Sequence, residues 1–228
     1  MKRLIPTLGA LAATLITSNA QLVWLNEFHY DNTGSDSGEF IEIAAPSSLT
    51  DLSSVTLTLY NGSGGSSYGT HRLDTFTLGS SSGSYTFYSK VISGIQNGAP
   101  DGFSLDQSGT VLQFLSYEGT IQATSGAASG LTSTDIGISE SDPGTSVGAS
   151  LGLTGTGHGY SEFAWTTFSD DSPGALNAGQ TFSAVPEPRD TALVVAVGLM
   201  GFAVYRHWRK SGREDSAKFS LDSADSDN

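Results

Sequence analysis

The chain has no cysteine and only 2 methionines in 228 residues. Without cysteine, neither a disulfide framework nor a thiolate metal site is open to it. Cations are scarce where the fold must lie. Between Gln21 and Pro188 only Arg72 and Lys90 are basic, against 17 aspartates and glutamates, which leaves that segment near −15. Such a surface repels phosphate backbones and lacks the Lys/Arg footprint of a nucleic-acid binder, so DNA and RNA are excluded as direct partners. A long hydrophobic run is missing too. The C-terminal uncharged apolar stretch, Thr191 to Tyr205, spans about 22 Å as a helix, short of a ~30 Å hydrocarbon core. What the chain has in excess is glycine, 28 residues, with abundant Ser and Thr. That composition suits a turn-rich β protein better than a helical one.

Both ends read as addresses. Residues 1–20 have the three zones of a secretory signal: Lys2 and Arg3, the apolar centre Leu4 to Ile16, and a small-x-small site ending at Ala20. At the other end, the uncharged stretch 191–205 runs into Arg206, His207, Arg209 and Lys210. Snorkelling by Arg206 and an interfacial Trp208 make spanning plausible despite the short run. The basic cluster places the C-terminus on the cytoplasmic side and the domain outside. The acidic, Ser-rich tail 211–228 has the composition of a disordered segment.

Val185-Pro186-Glu187-Pro188, then an apolar segment, then a basic cluster resembles the PEP-CTERM sorting signal of bacterial envelope proteins. The resemblance implies a membrane-anchored stage through residues 191–205 in the inner membrane. It also implies processing near Pro186-Glu187-Pro188 by an exosortase-type enzyme, and release to the cell surface or extracellular matrix.

Between the ends, short apolar or alternating runs are punctuated by Gly, Ser, Asn and Asp. Residues 22–28, 39–45, 55–60, 73–78, 84–90, 110–116 and 160–168 read as strands. Val55, Leu57 and Leu59 share one face; Phe76 and Leu78 share another. Turn signals fall at Asn61-Gly62, Gly64-Gly65, Ser82-Gly83, Asn97-Gly98 and Asp101-Gly102. The Gly/Ser segment 61–70 reads as a loop. Seven or more short antiparallel strands and no convincing helix before residue 189 predict an all-β, two-sheet sandwich over residues 21–184.

The opening LVWLNEFHYDNTGSDSGEFIEIAAP, followed by VTLTLYNG, NGAPDGFSL, VLQFLSYEG, LTSTDIG and SPGALNAGQTF, is similar to the bacterial lamin tail domain over roughly residues 22–182. The resemblance implies an immunoglobulin-like antiparallel β-sandwich, with an accessory or interaction role and no chemistry of its own.

The opening stretch holds the candidate site. Glu39 and Glu42 are three apart and so point to opposite faces of a strand. Alternation puts Glu42 with Phe40, and Asn26 with Trp24 and Phe28. A polar group on an apolar face must find a hydrogen-bond partner. The preferred reading makes Asn26 and Glu42 structural, with Glu42 accepting bonds from the loop Asp31–Gly38 and Asn26 helping to pin it. The sharper reading is a calcium site from Asp31, Asp36 and Glu39, since hard cations take several oxygen ligands. Calcium is the one cofactor the sequence admits. Yet the EF-hand pattern fails, because Asp36 stands where that loop needs glycine.

Catalysis has less behind it. His29, His71 and His158 are far apart, and there is no Gly-x-Ser-x-Gly, His-Glu-x-x-His or P-loop pattern. Tyr60, Tyr68, Tyr85, Tyr88, Tyr117 and Tyr160 suit half-buried strands as well as a binding face. The sequence therefore points to a non-catalytic interaction or structural module whose surface polysaccharide or protein partner it does not identify. A calcium-dependent binding module for carbohydrate or another surface polymer comes second, and a nuclease- or phosphoesterase-like enzyme third.

Overall fold

The computed structural model describes residues 23–183, 198–206, 208 and 209. The first of these segments lies in a compact unit that ends at Ser183 and is almost wholly β. In chain order its strands are β1 (Trp24–His29), β2 (Phe40–Pro46), β3 (Val55–Asn61), β4 (Ser66–Arg72), β5 (Thr77–Ser82) and β6 (Tyr85–Val91). They continue with β7 (Asp101–Gln107), β8 (Thr110–Tyr117), β9 (Thr134–Asp135), β10 (Ser150–Gly157), β11 (Ala164–Phe168) and β12 (Gln180–Phe182).

One sheet runs β11-β10-β1-β2-β6-β5, with β12 joined parallel to β10; the other runs β4-β3-β7-β8-β9. The alternation in β3 is the reason the sheets meet. Val55, Leu57 and Leu59 turn inward with Leu105, Leu115 and Tyr117 of their own sheet, against Leu25, Phe28, Ile41, Ile43 and Leu151 of the other. Aromatic rings fill the middle, Phe28 edge-on to Phe103 at 5.1 Å and Tyr30 stacked on Tyr117 at 3.9 Å.

The first sheet is covered on its outer face as well. Trp24, Ala44, Phe87 and Leu153 pack there under Phe163, Leu176 and Phe182. Every residue of β1 is buried, as are the first six of β2. Strands closed off on both faces carry no polar-out alternation. Any polar residue in them is forced into the interior.

Several expectations need correcting. Segment 61–70 is not one loop, because β4 occupies its second half. Asp101-Gly102 is not a turn: it opens β7, with Asp101 paired to Asn61 and Tyr117. The expected strand at 73–78 begins as a 3-10 turn, Leu73–Thr75, and only Phe76 of its apolar pair is buried; Leu78 is 68% exposed. Residues 160–162 likewise form a 3-10 turn ahead of β11.

In the second unit, residues 198–206, 208 and 209 are helical, and Leu199, Met200, Phe202, Val204, Tyr205 and Trp208 are exposed. Among the described residues no helix is long and apolar enough to cross a membrane. The expected spanning stretch 191–205 lies partly outside the described residues, as do Ala20, Val185, Pro186, Glu187, Pro188 and Lys210. Arg206 and Arg209 fall on the helix.

Candidate functional site

The polar side chains of β1 and β2 form one buried network. Its origin is a β-bulge: Leu25 pairs with Ile43 and Glu27 with Glu42, so Asn26 is an extra residue without a cross-strand partner. A bulge of this kind interrupts strict alternation. Asn26 therefore does not share a face with Phe28, as simple alternation implied. Phe28 goes inward, while Asn26 Nδ2 donates to Glu42 Oε1 at 2.8 Å. The bulge also frees the Leu25 N–H from the ladder, and Gln113 Oε1 of the facing sheet accepts it at 2.9 Å.

The segment ahead of β12 closes over these groups. Gln180 Nε2 donates to Asn26 Oδ1, and Asn177 Nδ2 donates to the carbonyls of Asn26 and Leu153. Gly152 of β10 makes room, since a Cβ there would lie 2.7 Å from Asn177 Nδ2. Glu42 Oε2 accepts from the Gly174 N–H, and Glu27 accepts from Ser150 Oγ, Ser172 Oγ and the Ser172 N–H. Glu42 is thus held by Asn26 as expected, but its backbone partner is the segment at Gly174, not the loop Asp31–Gly38. Burial pushes the Glu42 carboxyl up to about 8, against the Asn26 bond, with the adjacent Glu27 adding to the rise. Glu27 is raised too, again chiefly by burial.

The loop after β1 has a different anchor, Glu140. Its Oε2 accepts from the N–H groups of Tyr30 and Asp31, at 2.7 and 3.0 Å, and its Oε1 meets His29 Nδ1 at 2.8 Å. Both side chains are buried. Burial alone would lower the His29 pKa, but the bond and charge of Glu140, with Asn32, raise it. Asn32 then shapes the loop: its Oδ1 accepts from Ser37 N and its Nδ2 donates to the carbonyls of Thr33 and Ser35.

The expected calcium ligands are divided. Asp31 and Asp36 are neighbours, and burial followed by the Asp36 charge raises the Asp31 pKa. Asp36 Oδ2 accepts from Asn97 Nδ2 at 3.2 Å. Glu39 turns instead to the Gly94 N–H, 2.7 Å away. Among the described residues no three His, Asp or Glu side chains gather as they would around a metal ion.

The histidines do not converge either. His29 is sealed in, His71 sits in the edge strand β4, and the half-exposed His158 pairs with Glu162 at 3.1 Å. Of the tyrosines, Tyr60 and Tyr117 are fully buried and spend their hydroxyls on backbone: Tyr60 accepts from Ala128 N, and Tyr117 donates to the Gln96 carbonyl.

Two open cavities flank these structures. One, of ≈ 440 Å³, is lined by hydroxyls including Ser141, Thr145 and Ser169, with Glu140 at its edge. The other, of ≈ 290 Å³, lies between Asn61 and Ser63 on one side and residues 96–101 on the other. Glu140, Asn177 and Gln180 escaped attention in the sequence, because each sits in a Ser/Gly/Asn-rich stretch with little apolar pattern around it; Asp101 stood out only as part of a turn signal. Comparison with protein-family models, with curated proteins and with solved structures finds no match.

Proposed function

We propose that the chain is an exported, envelope- or matrix-associated interaction and structural module without catalysis of its own, built on an immunoglobulin-like, lamin-tail-type sandwich. The supporting observation is how its titratable groups are spent. Glu27, His29, Glu42 and Glu140 are at most 2% exposed, and each is bonded to a remote segment of the same domain. A general acid or base must come within hydrogen-bond reach of a substrate proton, and these four are enclosed by their own fold.

Export is supported by the signal-like residues 1–20 and by the resemblance of the stretch from Val185 to Lys210 to a sorting signal. The second reading, a binding module for carbohydrate or another surface polymer, is favoured by the cavity beside Asp101.

The test is to recover the chain from the surface of a bacterium that carries an exosortase and to map both its ends by mass spectrometry. The expected form starts at Gln21 and has no peptides beyond about residue 190. A cytoplasmic chain that keeps Met1 would overturn the reading. Recovery of intact 214–228 from the surface form would replace sorting by a plain anchor.

A further inference from the structure

Three backbone groups fix the orientation of the Asn32 amide. Its Oδ1 accepts from the Ser37 N–H at 2.9 Å, and its Nδ2 donates to the Thr33 and Ser35 carbonyls, each at 3.2 Å. An amide turned the other way would set a donor against a donor and an acceptor against two acceptors. The Asn32 oxygen therefore faces His29 Nε2, 3.2 Å away. That oxygen has no proton to give, so the nitrogen must donate.

The other ring nitrogen meets the same demand. His29 Nδ1 lies 2.8 Å from Glu140 Oε1, while Glu140 Oε2 takes the Tyr30 and Asp31 N–H groups. A neutral imidazole has one N–H and one acceptor nitrogen, so it satisfies only one of the two oxygens. Both are satisfied when a second proton sits between Nδ1 and Oε1, which makes the ring an imidazolium beside a carboxylate. The site is closed to water, with side-chain exposures of 0% and 1%. The charged groups that act on the ring, Glu140 and, from the segment after β11, Asp171, are both acidic. The residue paired with His29 on β2 is Phe40, Glu27 of β1 is held by Ser150 and Ser172, and Asp31 faces Asp36.

Loss of the second proton forces a choice. If the remaining hydrogen stays on Nε2, a lone pair faces a carboxylate that is buried and tied to two backbone N–H groups. If it stays on Nδ1, the Glu140 bond survives and the lone pair faces Asn32 Oδ1. The second arrangement costs less, because Thr33 to Gly38 are exposed and water can take over their backbone groups. Asn32 holds that loop through Thr33, Ser35 and Ser37. Thr33 in turn bonds Thr145 and Gly144, in the wall of the ≈ 440 Å³ cavity.

We propose that His29 is a proton-operated latch for the loop Asn32–Gly38. Doubly protonated, it holds Asn32 and closes the loop; on losing one proton it keeps Glu140 and releases Asn32, freeing the loop from the cavity wall at Gly144 and Thr145. The proton is bound more tightly in the closed form than in the open one. Closure is therefore complete below 6.5 and is lost as pH climbs through the raised His29 value. The latch operates in the purified chain and does not depend on export.

The test is nitrogen-15 NMR of the full-length chain between about pH 5.5 and pH 9. At the acid end both His29 nitrogens are expected to carry protons. As the ring titrates, the amides of Ser37 and Gly144, which donate to Asn32 and Thr33, should shift with the same midpoint, above 6.5. Glu140→Gln decides the mechanism. Its amide oxygen can take the Tyr30 and Asp31 N–H groups and its NH2 can donate to Nδ1. A neutral ring with Nε2–H then fits, and the loop should stay closed across the whole range. If that variant does not fold, Asn32→Ala replaces it. With one acceptor gone, His29 should bind its proton roughly fivefold less tightly, the equivalent of one ordinary hydrogen bond. Four results would each overturn the latch: a singly protonated ring at the acid end, loop amides that stay put while His29 titrates, a pH response unchanged in Glu140→Gln, or an unchanged His29 midpoint in Asn32→Ala.

Discussion

Asn26 donates to Glu42 across a bulge, 2.8 Å from Nδ2 to Oε1, and it does so from a position with no cross-strand partner of its own. The extra residue brings the amide to the outer face of the first sheet, where the carboxyl already lies. Two polar groups that would each be costly to bury alone become mutual partners. The closing segment supplies the remaining bonds.

A pH dependence follows from the two carboxyls and the histidine in this region. Glu42 and Glu27 bind protons more tightly folded than unfolded, because burial raises both. Their stabilising contribution is complete below the ordinary carboxylate range, near 4.5, and is lost as pH climbs through the folded values, about 8 for Glu42. His29, also raised, loses its contribution in the same direction above 6.5. Urea midpoints should therefore fall steadily between about pH 5 and pH 8.5, and Glu42→Gln should flatten the slope. A midpoint that rises across that range would contradict the assignment.

Removing the anchor of the first loop should be expensive. Glu140→Ala strips the acceptor from Tyr30 N, Asp31 N and His29 Nδ1 and leaves all three donors buried. Each buried donor left without an acceptor costs roughly 1–3 kcal/mol, which equilibrium urea unfolding would register. A loss under about 1 kcal/mol would mean that solvent replaces the carboxylate.

Asn177→Ala tests the closing segment. It orphans the carbonyls of Asn26 and Leu153, two buried acceptors of one amide. The expected loss is about 2–4 kcal/mol, with faster hydrogen exchange in β12 and at the β1 bulge. Unchanged exchange at the bulge would show that the segment is not what protects it.

Calcium gives a negative control with a definite outcome. Asp31 and Asp36 adjoin, but Glu39 is committed to Gly94. Millimolar calcium chloride should then shift the melting temperature no further than sodium chloride of equal ionic strength. A calcium-specific rise that disappears in the double variant Asp31→Asn, Asp36→Asn would establish the three-ligand site after all.

How much of this could be read from the sequence depended on side-chain chemistry. Strands with β-branched or aromatic alternation, such as Val55 to Tyr60, were legible in both position and face. Strands β4 and β10, rich in Gly, Ser and Thr, carry no such pattern; their pairing is imposed by their neighbours, β3 alone for the edge strand β4 and β1 with β11 for β10. Asn26 and Glu42 stood out as polar interruptions of apolar strands, with partners expected in the loop Asp31–Gly38. The bulge was not legible, because an added residue looks like any other until its partner strand is known. Neither were Asn177 and Glu140, which lie 151 and 110 residues from the groups they secure, in stretches composed like ordinary turns.

The closing segment bears on when the fold can form. β1 sits in the middle of its sheet, yet the groups that satisfy its bulge come from residues 177 and 180, the latter 154 positions downstream of Asn26. A chain threaded through a pore N-terminus first cannot finish its first strand until nearly the whole domain has emerged. Such long-range closure makes folding slow.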